Sequence, residues 1–152
     1  MKISEDDSED RTFRISRLLD APVARVWAAW TQPEALAQWW GPAGFSSTIH
    51  EMDVRANGEW RLTLHGPDGK KYPNRSIFLE IVPEEKIVFG HFNPDYTGTI
   101  LFEVQGSKTR MTWSNTFKTR ELFDTVVKIF KADEGLEQSA DKLEQYLADE
   151  TA

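Results

Sequence analysis

The first forty residues of the chain change from a strand pattern to a helix pattern. Residues 12–19 alternate between polar and apolar side chains, which predicts a first β-strand. Apolar side chains then recur at helical spacing at Val23, Val26, Trp27 and Trp30. We expect Asp20 to cap this helix and Pro22 to stand in its first turn, where no backbone donor is lost.

A second short helix is predicted directly after the first. Thr31-Gln32-Pro33-Glu34 matches the capping box that begins many helices, and Gly41-Pro42-Ala43-Gly44 ends the segment. Four of the six tryptophans of the chain lie between Pro22 and Gly44. Because tryptophan must bury most of its large apolar surface, this cluster predicts a wall, either of a core or of a cavity.

From residue 45 to residue 117 the pattern is that of short strands separated by turns. Turn signals lie at Asn57-Gly58, Gly66-Pro67-Asp68-Gly69, Pro83-Glu84-Glu85, Asn93-Pro94-Asp95 and Gly106-Ser107. They delimit six predicted strands near residues 45–55, 59–65, 71–82, 86–92, 97–105 and 108–117. Links this short exclude parallel crossovers, so the strands are predicted to form an antiparallel meander.

After Thr119 the pattern is helical again, with two apolar faces. The first face contains Leu122, Phe123, Val126, Val127 and Phe130, and the second contains Leu136, Ala140, Leu143 and Leu147. Asp133 is a candidate cap between the two. One sheet covered by one long terminal helix is an α+β domain.

The composition argues against several classes of function. Only 18 Lys and Arg stand against 25 Asp and Glu, and the net charge of −7 argues against nonspecific binding to nucleic acid or to an anionic membrane surface. The absence of cysteine excludes disulfides, thiol catalysis and thiolate metal sites. Residues 1–10 are predicted to be a disordered acidic tail rather than a secretory signal. No apolar stretch approaches the length that spans a bilayer, so we expect one cytoplasmic domain over residues 11–150.

Five segments, taken in order, carry a resemblance to a known family. They are Ala21-Pro22-Val23-Ala24-Arg25-Val26-Trp27, Trp39-Trp40-Gly41-Pro42, Asp53-Val54-Arg55-Ala56-Asn57-Gly58, Gly66-Pro67-Asp68-Gly69 and Leu136-Glu137-Gln138-Ser139-Ala140-Asp141-Lys142-Leu143. With them, over about residues 12–148, the chain resembles the START-like (SRPBCC) superfamily. Within it, the chain is similar to the branch related to the C-terminal domain of the heat-shock-protein-90 ATPase activator.

The resemblance implies both a fold and a cavity. The fold is a helix grip, in which an antiparallel sheet of six to seven strands curves around a long C-terminal helix and two short helices follow the first strand. Between sheet and helix lies a cavity that in many relatives takes a small apolar or amphipathic ligand. A shared fold implies no shared chemistry, because function belongs to sites.

The chain departs from the family's pattern in two places. Where the family commonly has a double glycine, this chain has Asn57-Gly58, and we expect the turn to survive because asparagine tolerates a positive φ. Where the family has Gly-Trp at the start of the last helix, this chain has Gly135-Leu136, which changes the ceiling of the cavity. Asp53 and Arg55, beside the first of these turns, are predicted to form an ion pair or to anchor the turn rather than to form a catalytic dyad.

The sequence offers little for metal, nucleophilic or phosphate chemistry. His50, His65 and His91 lie on three different predicted strands without ligand spacing, even when Glu103 is added, so we expect no metal site and no cofactor. No serine has the sequence context of an activated hydroxyl, and no glycine-rich phosphate loop is present.

Candidate ligand-binding residues come from segments that border the implied cavity. They are Trp39, Trp40, His65, Arg75, His91, Glu103, Trp113, Asn115 and Leu136. If the strand face shared by Trp113 and Asn115 lines the cavity, the Asn115 amide bonds either a ligand or backbone and water. Glu103 is a general acid or base if it points inward and a solvated carboxylate if it points outward. A single β-bulge inverts every such assignment, so the parity of the strands stays open.

Three functions from different classes fit these residues. The first is the binding of a small hydrophobic or amphipathic molecule in the cavity. The second is a chaperone-interaction module of the stress-related activator type, which uses the rim around Trp39–Pro42. The third, ranked last, is a cavity enzyme of unknown reaction, with Glu103, His91 and Arg75 as its candidates. Both a monomer and a homodimer fit the sequence.

Overall fold

The structure is a computed structural model that describes residues 9–151. A first strand, β1 (Thr12–Leu19), precedes two helices, α1 (Val23–Thr31) and α2 (Pro33–Trp39). Six strands follow: β2 (Ser46–Met52), β3 (Glu59–His65), β4 (Lys71–Val82), β5 (Lys86–Phe92), β6 (Tyr96–Gln105) and β7 (Lys108–Phe117). Two helices come last, α3 (Arg120–Lys128) and α4 (Ala132–Thr151). The predicted α+β helix-grip architecture is confirmed.

All seven strands form one antiparallel sheet in the order β1-β7-β6-β5-β4-β3-β2. Each strand from β2 to β7 pairs with its neighbour in sequence, as short turns require, and β1 returns to pair with β7 so that Phe13 lies opposite Asn115. Five of the six predicted strands of the meander agree with the structure to within one residue. The exception is β2, which ends at Met52 instead of residue 55 and whose register with β3 shifts between Ile49 and Glu51.

One face of the sheet carries the core. On β7 every second side chain is buried, from Thr109 through Met111 and Trp113 to Phe117, and on β6 the buried positions include Ile100 and Phe102. Period-two alternation therefore gives each strand one inner face, against which α1, α2 and α4 pack.

The long helix α4 is held by packing and by charge. The four residues of its predicted apolar face are all buried: Leu136, Ala140, Leu143 and Leu147. On its flank, the Arg17 guanidinium of β1 lies 2.7, 2.9 and 3.2 Å from carboxylate oxygens of Glu137, Asp141 and Glu144. One cation between three carboxylates on successive turns of a helix fixes the position of that helix over β1.

Three predicted helix caps are wrong, each by a residue or two. Pro22, not Asp20, is the N-cap of α1, because its carbonyl accepts from the amides of Arg25 and Val26. Thr31 is the last residue of α1, where its hydroxyl donates to Trp27 O at 2.8 Å, so it does not begin α2. Asp133 lies one residue inside α4, which begins at Ala132.

The segment between α3 and α4 also differs from the prediction. Phe130, expected on the apolar face of a helix, lies beyond the end of α3 at Lys128 and is exposed together with Ile129. Lys131 then adopts a positive φ of 56°, which turns the chain into α4. We refer to residues 129–131 as the α3–α4 corner.

Part of the predicted N-terminal tail has a place in the structure. Glu9 and Asp10 pair with Arg14 and Arg120 at 3.1 and 3.4 Å, whereas residues 1–8 of the predicted tail lie outside the described residues. Across residues 9–151, each helix is either too short or too polar to span a bilayer.

Candidate functional site

A cavity of about 490 Å³ lies between the inner face of the sheet and α4. Strands β3 to β7 supply its floor, α4 supplies its ceiling, and the loop from Trp40 to Phe45 closes one side. Phe130 of the α3–α4 corner also borders it while 71% exposed, so the cavity reaches the surface beside this residue.

One side of the cavity is built from packed tryptophans, which we call the tryptophan wall (Trp30, Trp39, Trp40, Trp60 and Trp113). The rings of Trp40 and Trp113 stack with centroids 5.6 Å apart, and Trp60 lies 5.0 Å from Trp40. Trp30 stands behind them and makes an edge-to-face contact with Trp113, with ring centroids 4.7 Å apart. Edge-to-face and offset contacts of this kind add to the large burial of each ring, so the wall is a firm part of the core.

The predicted rim residues Trp39 and Trp40 have different positions. Trp39 is fully buried and its indole Nε1 donates to Ala29 O at 3.0 Å, so it backs the wall without reaching the cavity. Trp40 lines the cavity. It does so because α2 ends at Trp39 and the backbone of Trp40 is extended, although the two indole rings stay in edge-to-face contact with centroids 5.5 Å apart.

The loop after Trp40 is fastened to α4. The Lys142 ammonium donates to Pro42 O at 3.3 Å and to Phe45 O at 2.9 Å, and Ala43 N donates to Gln138 Oε1 at 3.1 Å. Desolvation by the surrounding protein lowers the pKa of Lys142. These bonds hold the side of the cavity against its ceiling.

A second side of the cavity is polar, and we call it the polar wall (Asn74, Ser76, His91, Tyr96 and Asn115). Ser76 on β4, His91 on β5 and Tyr96 on β6 form one row across the sheet, since each is the register partner of the next. Asn115 on β7 belongs to the neighbouring row, between Phe13 and Gly98.

His91 is bonded within the protein at both ring nitrogens. Nδ1 donates to Pro94 O at 2.9 Å, Nε2 lies 2.7 Å from Asn74 Oδ1, and the ring stacks on Tyr96 at 4.6 Å. Desolvation lowers the pKa of His91, while the Pro94 carbonyl and the Asp95 carboxylate act more weakly in the opposite direction. Burial therefore favours the neutral ring, and because both nitrogens face protein atoms neither is free to attack or ligate.

Other polar side chains of the cavity have no partner. Ser76, Asn115 and Ser139 are 4%, 7% and 7% exposed, and no described residue hydrogen-bonds the two hydroxyls or the Asn115 Oδ1 atom. The Tyr96 hydroxyl likewise has no described partner, and burial raises the pKa of Tyr96. Because buried polar groups are normally bonded, these side chains require a partner inside the cavity.

Five of the nine candidate residues from the sequence line the cavity: Trp40, His91, Trp113, Asn115 and Leu136. Ser76, Tyr96 and Ser139 were not among the candidates. The strand pattern held a signal for Ser76, because it stands two residues before the buried Phe78 of β4. Ser139 shares the buried side of α4 with Leu136 and Leu143.

Three other candidates lie on the outer face of the sheet, because strand alternation turns them away from the core. The His65 ring lies 2.8 Å from the Thr48 hydroxyl. Arg75 pairs with Glu59 at 2.6 Å and covers the Phe92 ring. Glu103 is exposed and follows the buried Phe102, so it points outward as a solvated carboxylate, the second of its two predicted orientations. The structure does not bring these three residues to the cavity or to one another.

The arrangement gives no support to metal binding. Across residues 9–151 no three His, Asp or Glu side chains are close enough to hold a metal ion, so His50, His65, His91 and Glu103 do not converge. Asp53 and Arg55 do form the predicted ion pair, with Arg55 Nε 2.8 Å from Asp53 Oδ2.

Comparison with known proteins gives the family of the chain. A family model described as Activator of Hsp90 ATPase homolog 1-like protein matches residues 20–148. The chain belongs to this family. A search of curated proteins found no match.

Solved structures of similar proteins support the same assignment. A protein from Nitrosomonas europaea is 26% identical, with a TM-score of 0.85 over 93% of this chain and 97% of that one. A protein from Arthrobacter aurescens is 27% identical, with a TM-score of 0.87 over 94% of this chain and 89% of that one. These similarities confirm the helix-grip fold for this member of the activator-homologue family.

The first departure from the family's glycine pattern has a structural explanation. Asn57 adopts a φ of 70°, the conformation that asparagine tolerates, so the turn keeps its shape. Gly58 is the position that cannot change, because a Cβ atom there would lie 1.9 Å from Asp53 O.

Proposed function

We propose that this activator-homologue protein binds a small, largely apolar molecule in the cavity between the sheet and α4. The observation that carries the proposal is a cavity of about 490 Å³ that joins the tryptophan wall to buried polar side chains without partners. Ligand sites commonly have volumes of about 300–1,000 Å³, an apolar lining and a few orienting polar groups.

An unused void of this size is an unsatisfactory alternative. Protein interiors are close-packed, and empty space costs stability roughly in proportion to its volume. Side chains that already fill the core elsewhere, such as Trp30 and Trp39, leave this space open. A retained cavity beside polar groups favours a bound molecule over a packing defect.

The geometry favours binding over the alternative of a cavity enzyme. Both nitrogens of His91 are bonded, and Arg75 and Glu103 lie on the far face of the sheet. Of the described residues that line the cavity, Glu134 is the only carboxylate, and it is exposed near the α3–α4 corner. Among the described titratable side chains inside the cavity, His91 has both nitrogens against protein atoms and Tyr96 has a raised pKa, so neither is poised to exchange a proton near neutral pH.

Binding of a chaperone remains a prediction. The rim proposed for it, Trp39–Pro42, offers little free surface, because Trp39 is buried and Trp40 faces the cavity. A chaperone contact would have to use another surface of the molecule.

The first test is native mass spectrometry of gently purified protein, followed by titration with aminoanthracene. A discrete added mass, or saturable binding of one aminoanthracene per chain that quenches the cavity tryptophans, supports the proposal. No added mass together with no saturation contradicts it.

A matched pair of variants places the binding. Leu136→Trp adds a ring to the ceiling of the cavity, and we expect it to weaken aminoanthracene binding by about tenfold or more, since overpacking removes the space. Leu101→Trp makes the same change at an exposed position on the outer face of the sheet and should bind as wild type does. Equal loss in both variants would contradict a site in the cavity.

A further inference from the structure

We infer that the molecule this cavity accepts is uncharged and carries a hydrogen-bonding group, and that the cavity rejects carboxylates and other anions. The inference rests on the proposed function and names the chemical class of its ligand. Three features carry it: the neutral character of the unpartnered groups, the effect of burial on the two titratable rings, and the pairing or exposure of the described cations near the cavity.

The unpartnered hydroxyls and amide inside the cavity are neutral and can each donate or accept a hydrogen bond, and the indole Nε1 atoms of Trp60 and Trp113, which are also buried without a partner, can only donate. Ser76 and Ser139 carry hydroxyls, and Asn115 carries an amide, so each can both donate and accept. They come from three different elements, β4, α4 and β7, and face the same cavity from its floor and its ceiling. A neutral hydroxyl, carbonyl or amide on the ligand would satisfy them.

Their neighbours in the sheet cannot replace a ligand. Asn115 stands between Phe13 and Gly98, neither of which has a polar side chain. Ser76 stands between Trp60 and His91, and the ring nitrogens of His91 are bonded elsewhere. The polar wall therefore keeps its unused groups for whatever occupies the cavity.

The two titratable rings of the polar wall add no charge. Burial favours the neutral phenol of Tyr96 and raises its pKa, and it favours the neutral imidazole of His91 and lowers its pKa. Burial thus opposes charge on both rings of the polar wall.

The cations near the cavity are engaged or exposed. Lys142 donates to the carbonyls of Pro42 and Phe45, and Arg17 is surrounded by three carboxylates of α4. Among the described residues that line the cavity, the formal charges are Lys131 and Glu134, which are exposed, opposite in sign and three residues apart. A carboxylate inside the cavity would lose its hydration without gaining a cation, which strongly disfavours its binding.

A matched pair of probes tests charge selectivity. Naphthamide and naphthoate of the same ring position have nearly the same shape, and only naphthoate is charged at about pH 7. In displacement of aminoanthracene we expect naphthamide to bind at least about tenfold more tightly than naphthoate. Equal displacement by the two compounds would overturn the inference while leaving the proposed function intact. Failure of aminoanthracene itself to bind, with no added mass, would instead remove the proposed function.

Variants of the polar wall test the hydrogen bonds. Asn115→Leu keeps the size of the side chain and removes the amide, and we expect it to lower the affinity for naphthamide about tenfold relative to naphthalene, which has no polar group. Ser76→Ala provides a second variant with a smaller change in packing, and Ser114→Ala on the outer face of β7 is the control. An unchanged ratio of naphthamide to naphthalene in both polar-wall variants would overturn the role of these groups.

Discussion

The cavity is bounded by two kinds of surface, and they are built in opposite ways. The tryptophan wall is aromatic and largely buried, and ring contacts hold it together, as for Trp30 between Trp39 at 4.9 Å and Trp113 at 4.7 Å. The polar wall instead carries unpartnered hydroxyl and amide groups and a partly buried histidine, and the α3–α4 corner exposes Ile129 and Phe130.

The difference indicates that the tryptophan wall fixes the shape of the cavity, whereas the polar wall and the α3–α4 corner can respond to a molecule inside it. Close-packed aromatic rings resist rearrangement, so under the proposed function the tryptophan wall would set the size of the ligand. A corner with few buried contacts opens at low free-energy cost, so we expect the ligand to enter there. The proposed function needs both properties, and the fold has them on different elements.

The largest effect should follow from breaking the tryptophan wall. Trp30 is 2% exposed, and Trp30→Ala removes its contacts with Trp39 and Trp113, so we expect the free energy of unfolding to fall by about 3–5 kcal/mol. Urea unfolding measures this loss. Leu101→Ala, at an exposed position on the outer face of the sheet, should cost less than about 1 kcal/mol. Similar losses in the two variants would show that the wall is not the firm part of the molecule.

Much of the fold could be predicted from the sequence because its signals are local. The turn pairs such as Asn57-Gly58 mark the ends of strands, and five strands of the meander were placed within one residue. The caps of α1 and α2 were misplaced because several adjacent residues can cap a helix, and backbone bonds such as Arg25 N to Pro22 O decide between them.

The site could be predicted only in part, because its residues depend on which face of each strand points inward. The sequence allowed either face of each strand to point into the cavity. In the structure Trp113 and Asn115 lie on the inner face of β7, whereas Glu103 lies on the outer face of β6. Helical spacing puts Ser139 on the buried side of α4 with Leu136, but its meeting with Tyr96 at one cavity depends on long-range packing that no local pattern shows.

An intermediate effect distinguishes the two surfaces by their response to pH. His91 has a lowered pKa in the folded protein, so above pH 6.5 its ring is neutral in both folded and unfolded chains. As the pH falls through 6.5 the unfolded chain binds the proton first, and the free energy of unfolding decreases until the folded ring is also protonated.

We therefore expect the free energy of unfolding of the wild-type protein to decrease below pH 6.5. The His91→Gln variant should lack the part of this decrease that comes from His91. Urea unfolding as a function of pH measures the increment, and NMR titration of the His91 ring measures its midpoint directly. A midpoint at or above 6.5 would contradict the dominance of desolvation over the Pro94 and Asp95 contributions.

The smallest effect on stability, and the clearest one on kinetics, should come from the α3–α4 corner. Phe130 and Ile129 are 71% and 67% exposed, so replacing either with alanine should change the free energy of unfolding by no more than about 0.5 kcal/mol. Only Phe130 also borders the cavity, and Phe130→Ala removes a ring that stands where the cavity meets the surface.

We expect aminoanthracene to dissociate roughly threefold faster or more from this variant, because removing a covering side chain acts mainly on the dissociation rate. Stopped-flow dissociation measures the rate, and Ile129→Ala, with equal exposure and no contact with the cavity, should dissociate as wild type does. Equal rates in the two variants would mean that the ligand enters elsewhere, and the α3–α4 corner would then be surface without a role in access.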